Sequence, residues 1–167
     1  PHVKTGEEAR WIASNAKYPP IGRRGAENMM PDADLGFVDS LEYFEHANSE
    51  TFVVVQIEDA EALDNLDDIM STDGIDCIFI GPADLSLSLG VPLQFDSQKY
   101  KDAEDAIAKA AERNGKWWGR PVGDAATAAI YAERGARFFN LGGDYGLLLG
   151  GFKAYRKDFD EIVNAVL

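Results

Sequence analysis

The sequence predicts an α/β fold built on parallel strands, and three observations carry that expectation. Short apolar runs alternate with helical segments four times, the strands starting near positions 52, 75, 116 and 137. The runs at 51–57 and 75–80 are almost uninterrupted in apolar side chains, as strands covered on both faces must be. The stretches between runs are long enough for a crossover helix, which parallel pairing requires.

Each element has a local cause. Thr5-Gly6-Glu7-Glu8 is a capping-box pattern with Thr5 at the N-cap and Glu8 three residues on, and it predicts a helix to about Ala16. Lys17-Tyr18-Pro19-Pro20 stops it, because a residue before proline is pushed out of the helical region. Residues 21–34 read as a Gly-, Pro- and Asp-rich loop, and 39–47 as a second helix with Leu41, Tyr43, Phe44 and Ala47 on a partly apolar face. The first strand, 51–57, runs into Glu58 and Asp59, with Asp59 suited to cap a helix over 60–70. Thr72-Asp73-Gly74 turns the chain into the second strand, 75–80, which ends in Gly81-Pro82-Ala83-Asp84. A loop through about Phe95 precedes an alanine-rich helix over 97–114, with Gly115 placed to end it. Residues 116–119 form a short third strand. Asp124 caps a helix to Arg134, 137–142 form the fourth strand, and apolar helices carrying Leu147, Leu148, Phe152, Phe159, Ile162 and Val163 complete the chain.

Two closures compete for such a pattern: an open doubly wound sheet and a (β/α)8 barrel. No G-x-G-x-x-G segment follows a strand, which weakens the nucleotide-binding version. A complete barrel needs about 250 residues, whereas this sequence has 167 and opens Pro1-His2-Val3. It therefore reads as the second half of a barrel, begun in mid-domain.

Composition narrows the function. Asp and Glu number 29 against 16 Lys and Arg, a net charge of −13. That balance argues against nucleic acid or an anionic membrane surface as partner. No run of 18 apolar residues or targeting segment is visible, and the lone Cys77 excludes an intrachain disulfide. A cytoplasmic setting is the matching expectation.

In parallel α/β folds, ligands bind at the carboxyl ends of the strands. Glu58 and Asp84 leave consecutive strands at one rim, so their carboxylates can converge. Two like charges brought close oppose each other's ionisation, and a hard divalent cation removes the conflict. The competing reading makes both solvated helix caps.

Val55-Gln56-Ile57-Glu58, followed by Ile78-Phe79-Ile80-Gly81-Pro82-Ala83-Asp84-Leu85-Ser86, resembles the signature of the HpcH/HpaI aldolases, metal-dependent class II pyruvate aldolases. The Pro1-His2-Val3 opening, the Tyr18-Pro19-Pro20-x-Gly22-x-Arg24-Gly25 loop and Leu141-Gly142-Gly143-Asp144 resemble that family in the same order. The resemblance implies the C-terminal half of a (β/α)8 barrel, with residues 1–167 as one partial domain. It implies Glu58 and Asp84 as ligands of Mg2+, Mn2+ or Co2+. It implies a pyruvate-like 2-oxo acid and an aldehyde as reactants, joined or cleaved through a metal-stabilised enolate. Gln56 would position the keto acid, and the main chain around Gly81, Pro82, Ala83 and Asp84 would hold its carboxylate. Small residues there let a ligand approach the backbone. A homo-oligomer, a hexamer or trimer of dimers using the C-terminal helices, is implied too. Related outcomes on the same chemistry are a macrophomate-synthase-like or citrate-lyase-like reaction, or an incomplete remnant that serves as a subunit or binding protein.

Departures from the family pattern bound these expectations. Its acid–base histidine, aspartate partner and arginine lie on earlier strands. His2, at a strand end near the rim, and His46, on a helix, do not match the histidine motif. Trp117-Trp118-Gly119-Arg120 replaces small and apolar residues, making Arg120 a candidate for binding an acidic aldehyde. Arg23 and Arg24 are loop candidates for a substrate carboxylate. Asp144 suits a helix cap and Cys77 the core.

Overall fold

Four parallel strands, β1 (Val54–Ile57), β2 (Cys77–Ile80), β3 (Trp117–Val122) and β4 (Phe138–Leu141), pair in sequence order. The computed structural model describes residues 1–166, so Leu167 lies outside it. Strict neighbour-to-neighbour order with helical crossovers is the curled sheet of a barrel, and four strands are half of eight. The amide of Val3 also donates to the Gln56 carbonyl at 3.2 Å, so the opening residues lie along the free edge of β1.

The helices follow local signals. Thr5 caps α1 (Gly6–Ala16) with both arms of the capping box formed. Asp39 caps α2 (Ser40–Glu50), which runs three residues past its expected end. Its last turn takes up Thr51, and β1 therefore starts at Val54 rather than Thr51. The expected helix over 60–70 is a 3-10 turn, Ala60–Asn65, followed by α3 (Leu66–Met70). Asp59 does not cap it by side chain. The segment after β2, expected as loop, begins with α4 (Pro82–Ser88). Proline at the first helical position loses no hydrogen bond there and has the required φ. α5 (Gln98–Arg113) and α6 (Ala125–Glu133) are capped by Ser97 and Asp124. β3 runs to Val122, three residues past expectation. Its ladder with β2 ends at Phe79–Gly119, so Pro121 lies beyond that ladder. The closing segment is a single helix, α7 (Asp144–Val166), with none of its side chains buried.

One face of the sheet builds the core. Val55, Ile57, Ile78 and Ile80, each at most 1% exposed, pack with Trp118 against Leu66, Ile69, Leu85, Ile107 and Ala111 of the helices. Full burial of such an aliphatic side chain is worth about 1.5–3 kcal/mol. A satellite cluster of Tyr18, Ala33 and Tyr43 lies outside it, with Tyr18 and Phe44 rings 4.3 Å apart. Asp32 accepts from the Tyr43 hydroxyl, which with burial pushes that phenol up to about 12.

Because strand side chains alternate, the opposite face carries Val54, Gln56 and Glu58 from β1, and Cys77, Phe79 and Gly81 from β2. From β3 and β4 it carries Trp117, Gly119, Pro121, Phe138 and Asn140. Registry arranges these in layers: Val54–Cys77–Trp117, then Gln56–Phe79–Gly119–Phe138, then the rim. Gly119 permits the fit, since a Cβ there would lie 1.7 Å from the Phe138 carbonyl oxygen.

Candidate functional site

Glu58 follows the last residue of β1, and its side chain is 2% exposed. Each carboxylate oxygen has its own neutral donor. The His2 main-chain amide donates to Oε1 at 2.9 Å, and the Gln56 side-chain amide donates to Oε2 at 2.6 Å. His2 has φ 55°, a left-handed conformation uncommon for histidine, and this turns its amide toward Glu58. Its ring Nδ1 stands 3.0 Å from Asp59 Oδ2 and 3.6 Å from Glu58 Oε1. Asp59, expected as a cap, faces His2 instead.

Gly81 closes the group. A Cβ there would sit 2.3 Å from Glu58 Oε2 and 2.6 Å from Gln56 Nε2, so only glycine lets β2 end against the pair. The structure thus brings Gln56, Glu58 and Gly81 into direct contact. Pro82, Ala83 and Asp84 form the first turn of α4 at the same end of the sheet. The Gly81 amide is engaged with the Ile57 carbonyl and Leu85 N–H with the Gly81 carbonyl. Pro82 has no N–H, which leaves the amides of Ala83 and Asp84 as that turn's donors without a backbone acceptor among the described residues. The Asp84 carboxylate is exposed and has no hydrogen-bond partner among the described residues.

The remaining candidates stand elsewhere. Arg120 points away from the rim into the helix layer, 8% exposed, where it pairs with buried Glu104, donates to Tyr131 Oη at 2.5 Å and stacks over that ring. Its strand parity puts it on the core face beside Trp118, so the expectation that it binds an acidic aldehyde is corrected. Arg134 also bonds Glu104, which therefore has two guanidinium partners. Arg23 and Arg24 lie by the carboxyl end of α1. Arg23 N donates to Ser14 O, and Arg24 packs over Tyr18. That end of α1 meets Thr51 through Lys17, just ahead of β1 and opposite the Glu58 rim, so neither arginine joins the site. His46 lies on α2. Cys77 is buried, its thiol pushed up to about 11 by desolvation. Asp144 opens α7 and accepts from the amide of Tyr145.

A cleft of about 590 Å³ runs over the open face, lined by Val54, Gln56, Phe79, Phe138 and Asn140 among others. Sequence reasoning passed over Asn140 and the Glu104 network. Counting the two-residue period along β4 is the signal that finds Asn140, whereas Glu104 lies on α5, outside any strand period.

A buried carboxylate gripped by neutral donors beside a glycine-backed strand end, on half of a parallel barrel, defines a (β/α)8-type protein with an anionic rim. The HpcH/HpaI aldolase/citrate lyase family profile matches residues 1–150, and the chain belongs to that family. It is 40% identical over 148 residues to a 2-keto-3-deoxy-L-rhamnonate aldolase of Klebsiella pneumoniae, covering 86% of this chain and 54% of the relative. It is 36% identical over 150 residues to a 5-keto-4-deoxy-D-glucarate aldolase of Shigella boydii, covering 88% and 56%. The HpcH/HpaI aldolase of Desulfitobacterium hafniense superposes with a TM-score of 0.87 at 32% identity, covering 95% of this chain and 61% of that one. The chain spans about half the length of the curated relatives it matches.

Proposed function

We propose that this chain supplies the cation-binding half of a divalent-metal-dependent aldolase that makes or cleaves 4-hydroxy-2-oxo acids. One observation carries the reading: Glu58 is buried, and no lysine or arginine pairs with it among the described residues. A buried carboxylate without a full positive charge is costly, and a cation at the rim removes that cost. The donor set fits: two carboxylates, Glu58 and Asp84, suit a hard ion such as Mg2+ or Mn2+ that keeps open positions for water and substrate oxygens. Among the described residues no group of three or more His, Cys, Asp or Glu gathers for a metal, so the remaining ligands would be water and substrate.

When bound, the ion supplies Lewis acidity for charge developing on a keto oxygen. The chain's own residues do the rest. Gln56 and the His2 amide fix the rotation of Glu58. Gly81 keeps a side chain out of the space where a keto acid would lie, and the Ala83 and Asp84 amides are placed for its carboxylate. The acid–base groups belong to strands other than these four, so Glu58 and Asp84 are not the whole active site.

Relatives named for keto-deoxy-sugar acids support a pyruvate-type 2-oxo acid and an aldehyde as reactants. The exposed apolar residues of α7, Leu148, Phe152, Tyr155 and Phe159 among them, support self-association through that helix. Among the described residues no helix is long and apolar enough to cross a membrane. Retro-aldol assays of 4-hydroxy-2-oxo acids with and without EDTA test the reading. Activity abolished by EDTA and restored by Mn2+ is expected; activity untouched by chelation sinks it.

A further inference from the structure

Registry carries the rim across the whole sheet. Gln56 is level with Phe79, Phe79 with Gly119, and Gly119 with Phe138. Two residues further along each strand, on the same face, stand Glu58, Gly81, Pro121 and Asn140. Pro121 and Asn140 are direct partners. Asn140 thus belongs to the layer of Glu58 and Gly81, two strands beyond Gly81, about 10 Å at ~4.8 Å per strand.

Its surroundings are specific. Asn140 lines the cleft with Gln56, and Phe79 and Phe138 lie beneath, their rings 5.6 Å apart. Its side-chain amide is exposed and has no hydrogen-bond partner among the described residues. No lysine or arginine lines the cleft. An amide both donates and accepts, which matches a hydroxyl. A second carboxylate would find no lysine or arginine of these four strands to pair with in the cleft.

We propose that Asn140 is a specificity-determining residue: its amide hydrogen-bonds a hydroxyl on the aldehyde part of the substrate, so that neutral hydroxyaldehydes are favoured over aldehydes bearing a carboxylate. The assignment rests on the aldolase reading, with the keto acid at Gly81 and the distal chain reaching β4.

The test uses the whole protein loaded with Mn2+, and two readouts separate the two readings. Exchange of the pyruvate methyl protons into D2O, followed by NMR, reports the keto-acid half alone. Aldol addition of pyruvate to glyceraldehyde, propionaldehyde and succinic semialdehyde reports the acceptor. Asn140→Ala should raise KM for glyceraldehyde by about 10-fold, the worth of one hydrogen bond, while exchange and propionaldehyde kinetics stay as in the parent. Asn140→Lys should shift relative kcat/KM toward succinic semialdehyde. Equal effects on glyceraldehyde and propionaldehyde, no effect on either, or a parent that prefers succinic semialdehyde overturns the Asn140 assignment while exchange persists. Loss of exchange in the parent protein overturns the aldolase reading and this assignment with it.

Discussion

Two glutamates of this chain are equally buried, at 2% exposure, and their surroundings differ in kind. Glu104 on α5 faces Arg120 and Arg134, with the Tyr100 and Tyr131 hydroxyls beside them. Its charge is matched within the protein, and burial pushes the pKa of both tyrosines up, holding their hydroxyls protonated. Glu58 has an amide on each oxygen and an exposed imidazole at 3.6 Å. The first arrangement is complete and joins α5, β3 and α6. The second leaves a charge to be answered from outside, and it lies where a barrel binds ligands. Burial alone therefore does not single out the carboxylate proposed to hold a cation; the charge of its partners is what sets the two apart.

The comparison can be broken most directly at Arg120. Arg120→Met leaves Glu104 short of a partner in the core and should cost about 3–5 kcal/mol in urea unfolding, while Mn2+ affinity at the rim stays unchanged. The double variant Arg120→Met/Glu104→Met should recover most of that loss; a double variant as unstable as the single one would refute the pairing. At the other glutamate the effects reverse. Glu58→Gln and Asp84→Asn should each weaken Mn2+ binding by at least about 100-fold, the upper end of what loss of a group merely supporting a ligand costs, with little change in unfolding midpoint. Titration calorimetry decides, and unchanged affinity in both variants removes the site. Gly81→Ala sharpens the same contrast. Its Cβ must displace the Glu58 carboxylate or the Gln56 amide, so metal affinity should fall by roughly 10-fold, with a destabilisation of about 1–3 kcal/mol typical of overpacking.

The smallest effect concerns exposed carboxylates. Bonds from Asn114 and Arg113 hold Asp67 below the ordinary carboxylate range, and the Thr127 amide does the same for Asp124. A carboxylate depressed in the folded state adds stability above its unfolded value, near 3.9, and loses it as pH falls through the folded one. Circular dichroism should show a modest acid loss beginning below about pH 4. Asp67→Asn with Asp124→Asn should flatten it, and an unchanged profile would exclude these two groups as its source.

Much of this was legible in the residues. The apolar runs gave the four strands, the Thr5 capping box gave α1, and Gln56-x-Glu58 with Gly81-Pro82-Ala83-Asp84 gave the rim. Boundaries moved where competing local chemistry won, as at Thr51, taken into the last turn of α2, and at Pro82, which starts a helix rather than prolonging a loop. Arg120 misled because a charged residue near a strand end suggests solvent or substrate. Its partner Glu104 lies 16 residues away on another element, and no local pattern announces such a pair. Trp117 and Trp118 show the same dependence on parity. Trp118 packs edge-on to Tyr131 in the core, and Trp117 stands on the open face beside Phe52.

The alternation that separates those two tryptophans has an evolutionary consequence. Along β4, the Phe139 side chain packs against the core, while that of Asn140, one residue on, is exposed on the open face. On the proposed reading, one parity of such a strand answers to packing and the other to the ligand, so an acceptor preference can change at alternate residues while the intervening ones stay fixed.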